Sequence, residues 1–255
     1  MSYNDYLVAG FKDLLVEINR SIGLPTLHCA IKSSDYDNVE LLLERGEDVN
    51  MPGTDGSTPL AYAIRIHARY AMVELLLRYG ANPNAKCSKG FTPFTIAITS
   101  HTRADIVKLL LDHDADVEAD VEFGDTPLVH AVYNGALDEV VQALIEHGAN
   151  SDKINLYDDQ LLSYAIKCNR FATVKLFLEK GLDVNTCEID GKKLWCWLMT
   201  DGYGAPDGAI AFLVENGLNF ETSHLCDVSP LKFASTEGRF EDVRALLERG
   251  ADPDL

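Results

Sequence analysis

The sequence predicts an all-α chain built from about seven stacked helix-turn-helix repeats. Two recurring phrases and one fixed period lead to that class. The first phrase is an apolar triplet, a mainly charged pair, a glycine and a short ending of acids or amides. It runs Leu41-Leu42-Leu43-Glu44-Arg45-Gly46-Glu47-Asp48-Val49-Asn50 and returns as Leu75-Leu76-Leu77-Arg78-Tyr79-Gly80-Ala81-Asn82-Pro83-Asn84. Its glycine position falls at Gly46, Gly80, Asp114, Gly148, Gly181, Gly217 and Gly250, in steps of 34, 34, 34, 33, 36 and 33 residues. A constant period of this size marks units that cannot bury their apolar faces alone and must stack on their neighbours.

The second phrase opens each of the clearest units, as Gly56-Ser57-Thr58-Pro59-Leu60-Ala61-Tyr62-Ala63, Gly90-Phe91-Thr92-Pro93-Phe94-Thr95-Ile96-Ala97 and Gly124-Asp125-Thr126-Pro127-Leu128-Val129-His130-Ala131. Glycine permits the turn, Thr caps the helix, and Pro takes the first helical position, where no N–H is needed. A second helix follows with apolar residues at helical spacing, such as Val140, Val141, Leu144 and Ile145, and stops at Gly148 in a left-handed cap.

Together the phrases resemble the ankyrin repeat, with its Thr-Pro-Leu-His opening and its Gly-Ala-Asp-Val-Asn ending. The resemblance covers residues 21–255 and implies an ankyrin-repeat solenoid with short hairpin loops. The repeats fall at about 21–52, 53–86, 87–120, 121–154, 155–187, 188–223 and 224–255. Ahead of them, residues 1–20 place Tyr6, Leu7, Phe11, Leu14, Leu15 and Ile18 on one stripe, the pattern of an N-terminal capping helix. The last phrase, at Gly250, is followed by only a few residues, which leaves repeat seven to cap itself or to be covered by a partner.

Four repeats depart from the pattern. Repeat one exchanges Pro25 and Thr26, so its helix start is expected to be capped differently. Repeat three has Asp114 for Gly, tolerable because Asp enters the left-handed region more readily than most residues. Repeat five reads Gln160-Leu161-Leu162-Ser163, and repeat six carries Trp195 and Trp197 with extra residues absorbed between Asp201 and Asp207. Both indoles are expected to be buried and to fill space.

The 22 Lys and Arg stand against 40 Asp and Glu, a formal charge of −18, which repels phosphate backbones and anionic lipid and favours a protein partner with a basic surface. No nucleic acid and no membrane partner is expected. Six cysteines are scattered without a Cys-x-x-Cys pair, which suits reduced thiols. The charged residues within 1–20 match neither a signal peptide nor a bilayer span, so the expectation is a cytoplasmic protein, monomeric apart from its complex.

Residues that carry chemistry are mostly absent. Asp112, Asp114, Asp116, Glu118 and Asp120 alternate, but an EF-hand loop begun at Asp112 needs Gly and Glu where Val117 and Phe123 stand. The seven histidines fall at helix starts and ends, and the resemblance gives His28 a structural role, bonding neighbouring backbone. No nucleophile elbow, zinc-binding helix motif or phosphate-cradling loop is found. No catalytic residue, metal or cofactor is expected.

The resemblance implies that hairpin tips and first helices line a concave groove that binds protein. By repeat position the candidates are Arg65, Lys89, Phe91, Glu122, Phe123, Asp125, Tyr133, Leu156, Tyr157 and Asp159. Aromatic residues at loop tips have no solvation reason to be there, and rings framed by acids resemble interface hot spots. The leading function is an intracellular scaffold or adaptor. The alternatives are a dedicated inhibitor or bacterial immunity protein against a basic toxin, and a secreted effector aimed at a host protein.

Overall fold

A computed structural model describes residues 26–87, 90–100, 102–121, 124–150, 161–186, 188–189, 192–200, 206–219 and 229–252. The expected capping helix at 1–20 lies outside them. Fourteen helices form seven consecutive pairs among the described residues. The pairs are α1 (Thr26–Lys32) with α2 (Tyr36–Glu44), α3 (Pro59–Arg65) with α4 (Tyr70–Arg78), α5 (Pro93–Thr99) with α6 (Ala104–Asp112), and α7 (Pro127–Tyr133) with α8 (Asp138–Glu146). They continue as α9 (Leu161–Lys167) with α10 (Phe171–Glu179), α11 (Leu194–Thr200) with α12 (Ala209–Glu215), and α13 (Pro230–Thr236) with α14 (Phe240–Glu248). One two-residue antiparallel hairpin, β1 (Glu188–Ile189) with β2 (Lys192–Lys193), precedes α11.

The helix starts follow from the Thr-Pro phrase. Thr58 accepts from the Ala61 N–H, Thr126 from Val129, and Ser229 from Lys232, each with Pro at the first helical position. Thr92 and Thr95 form a reciprocal capping box. The helix ends follow from the glycine phrase: Gly148 has φ +89° and Asp114 has φ +62°, so Asp does enter the left-handed conformation required there.

The chain divides into two compact units, Met1–Glu122 with Glu146–Ala149, and Phe123–Ile145 with Asn150–Leu255. Within the first unit the first helices α1, α3 and α5 pack on one another, as do the second helices α4 and α6. Within the second unit α7 packs on α9 and α12 on α14. Each unit therefore has its own core of Leu, Ile, Val and Ala side chains between its helices, with Leu60, Leu76 and Leu110 in the first and Leu128, Val174 and Leu213 in the second.

An asparagine relay ties successive endings together. Asn50 Nδ2 donates to the Gly80 carbonyl at 3.1 Å while its Oδ1 accepts from the Asn82 N–H at 2.9 Å. Asn84 repeats this with Asp114 and Asp116 at 2.8 Å each, and Asn185 with Gly217 and Asn219 at 2.9 and 2.8 Å. Each side chain satisfies a donor and an acceptor that the end of a helix pair leaves open.

Trp195 and Trp197 are buried, at 3% and 1% exposure, as expected of space-filling rings. Cys29, Cys87 and Cys168 are free thiols, but Cys196 is disulfide-bonded. The expectation of six reduced cysteines is corrected at that position.

Candidate interaction surface

The first helices are seven residues long, and on α3 the fourth position is half-buried and the seventh exposed. In the first unit these positions hold Tyr62 and Arg65. Arg65 donates to Asp55 Oδ2 at 2.6 Å and to the Ser57 hydroxyl at 2.9 Å, and its guanidinium lies 5.4 Å from the Tyr62 ring. The Ser57 N–H and the guanidinium together hold the Asp55 carboxyl down to about 2. Arg65 thus braces the hairpin tip that precedes its own helix.

Behind this brace, His28 Nε2 lies 2.9 Å from the Ser57 carbonyl oxygen. Burial is the main cause that lowers the His28 pKa, partly offset by the Ser57 contact and Asp55. A Cβ on Gly53 would meet His28 Nε2 at 3.0 Å and Cδ2 at 3.1 Å, so the tip can lie against the imidazole only because residue 53 has no side chain. His28, Ser57 and Asp55 are not a nucleophilic constellation, since the imidazole bonds a main-chain oxygen and the Ser57 hydroxyl is held by Arg65 and Asp55.

In the second unit the seventh position of α7 is Tyr133, and the fourth and seventh positions of α9 are Tyr164 and Lys167. The rings of Tyr133 and Tyr164 stack with centroids 4.0 Å apart, and the Tyr164 hydroxyl donates to the Tyr133 carbonyl at 3.0 Å. Both residues are half-buried, and the neighbouring Cys168 thiol and burial raise the Tyr164 pKa. Lys167, exposed, places its ammonium 5.1 Å from the Trp197 ring centroid.

Arg170 fixes this arrangement from behind. Its guanidinium donates to the carbonyls of Ala131, Val132 and Ala136 at 3.3, 2.9 and 2.5 Å and to Asp138 Oδ1 at 3.0 Å. With 12% of its side chain exposed, it clamps the end of α7 to the start of α10. Arg170 was not among the sequence candidates, although an Arg stands just before the second helix at Arg69, Arg103, Arg170 and Arg239, a recurrence visible in the sequence.

The candidates from sequence fall into four groups. Tyr133 belongs to the aromatic pair, and Arg65 belongs to the tip brace. Phe91 and Asp125 are half-buried at the bases of their hairpins, with the Phe91 carbonyl accepting from the Cys87 N–H at 2.8 Å. Lys89, Glu122, Phe123, Leu156, Tyr157 and Asp159 lie outside the described residues. Tyr164 and Trp197 are the partners that sequence reasoning did not join to Tyr133 and Lys167.

Among the described residues no group of three His, Cys, Asp or Glu side chains could hold a metal ion, and no helix is long and apolar enough to cross a membrane.

A family model described as ankyrin repeats matches residues 27–121 and 114–187. No curated protein matches the chain. Of solved structures, 461 chains match. One is the crystal structure of the ankyrin repeat domain of Bcl-3, described as a unique member of the IkappaB protein family. It is 25% identical, with 87% of this chain and 97% of that chain covered and a TM-score of 0.61.

Proposed function

This chain belongs to the ankyrin-repeat family, and from that premise we propose that it is a non-catalytic interaction module whose protein partner docks on the first helices and adjoining hairpin tips. The observation that carries this reading is the Tyr133–Tyr164 stack on the first-helix side of the second unit. Paired rings on a rigid helix layer offer a partner preorganised apolar area with polar edges, the composition of interface hot spots. An adaptor or scaffold needs nothing more from its site.

A second reading, a dedicated inhibitor or immunity protein that neutralises a basic toxin or enzyme, draws on a different surface. The seven second helices hold 14 carboxylates against 4 Lys or Arg, a local charge of −10 that would steer a basic partner.

Affinity capture with the full chain separates the two. The captured partner is identified by mass spectrometry, purified, and titrated against Tyr133→Ala and against Glu139→Lys with Glu74→Lys. Loss of affinity in the tyrosine variant supports docking on the first helices. Loss only in the charge-reversal variant supports the inhibitor reading, and indifference to both refutes each placement.

A further inference from the structure

Charge is divided between the two helix layers. The seven first helices contain no Asp or Glu, and their 4 basic residues, Lys32, Arg65, Lys167 and Lys232, are all exposed. The acidity of the chain is therefore carried by the second helices and the loops. At physiological salt the screening length is about 8 Å, so a segment lying on the first helices senses the cations beneath it more than carboxylates a helix diameter away. A net charge of −18 is thus a poor guide to what this layer attracts.

The cations are not equivalent. In the first unit Arg65 is already met by Asp55 at 2.6 Å. In the second unit no described carboxylate forms an ion pair with Lys167, an exposed residue whose ammonium lies 5.1 Å from the Trp197 ring centroid. Tyr164 and Lys167, three residues apart on α9, are neighbours on the helix surface. The Tyr133–Tyr164 pair and Lys167 therefore offer an apolar platform with one uncompensated positive charge at its edge.

Building on the interaction-module reading, we propose that the first-helix layer of the second unit takes an acidic segment of the partner protein. An aromatic or apolar side chain of that segment lies against the Tyr133–Tyr164 pair, and an adjacent carboxylate reaches the Lys167 ammonium. An exposed carboxylate–ammonium contact adds modest affinity but fixes register and excludes basic segments, which would bring like charges together.

Fluorescence polarisation of the full chain with three short labelled probes tests this: a peptide alternating Glu and Tyr, its counterpart alternating Lys and Tyr, and a single-stranded oligothymidylate. The expected result is binding of the Glu–Tyr peptide alone, weakened by salt, about fivefold weaker in Lys167→Glu, and unchanged in Lys175→Glu on α10. Preference for the Lys–Tyr peptide, comparable binding of the oligonucleotide, or an unaltered affinity in Lys167→Glu would overturn the proposal. So would self-association that Lys167→Glu abolishes, which would give the face to a second copy of the chain. If no probe binds while the captured partner still depends on Tyr133, the acidic assignment fails and the interaction-module reading stands. A captured partner indifferent to Tyr133 sinks that reading itself.

Discussion

His28 Nε2 sits 2.9 Å from the main-chain oxygen of Ser57, which ties α1 to the turn that begins the next repeat. The imidazole is buried and its pKa is lowered, so the neutral form is the one the fold prefers. The unfolded chain binds the proton first as pH falls below the ordinary histidine value of 6.5. The contribution of His28 is thus fully present above that value and is lost as pH falls towards the lower folded value.

Urea unfolding at pH 7.5 and 5.5 is expected to show this loss in the parent, and His28→Leu is expected to remove that part of the pH dependence. Asp55 does not interfere, because its carboxyl, held at about 2, loses its contribution only as pH falls from 3.8 through that value. An unchanged pH profile in His28→Leu would contradict the assignment.

Arg170 gives a second prediction. Removing a guanidinium that serves three carbonyls and Asp138 loses several charge-assisted hydrogen bonds at once, so Arg170→Ala is expected to cost about 2–4 kcal/mol in chemical unfolding. Arg170→Lys is expected to recover little, since one ammonium cannot reproduce the planar fork.

A third concerns Asp242, which is fully buried, accepts from the Ala211 N–H at 2.8 Å and lies 2.7 Å from Arg239 Nε. Burial pushes its carboxyl up while the amide and the guanidinium pull it down. Asp242→Ala strands the buried Arg239 and is expected to destabilise by about 3–5 kcal/mol, whereas Asp242→Leu combined with Arg239→Met is expected to cost much less. Equal losses in the single and double variants would show that the pair is not coupled.

Most of the fold was legible because the repeat imposes its own chemistry at fixed intervals. Thr58 and Thr126 cap where the phrase says they should, and Asp114 stands in for glycine by adopting its conformation. Trp195 and Trp197 were placed correctly from helical register alone. What escaped was lateral. The pairing of Tyr133 with Tyr164 depends on what stacking sets side by side, and the bonded state of Cys196 has no Cys-x-x-Cys signature. Net charge, being a sum, concealed that first helices carry only cations.

The asparagine relay supplies a fourth prediction. Asn84→Asp keeps the acceptor for the Asp116 N–H but loses the donor to the Asp114 carbonyl, and is expected to cost about 1 kcal/mol. Asn84→Ala loses both and is expected to cost about 2 kcal/mol. Thermal or urea unfolding distinguishes the two, and equal costs would remove the acceptor from the account.

Hydrogen exchange of the full chain, alone and saturated with its purified partner, tests the placement of the interface most directly. Protection concentrated on α7, α9 and the hairpin tips beside them is the expected result. Protection confined to the second helices, with α7 and α9 exchanging as in the free chain, would contradict docking on the first-helix layer.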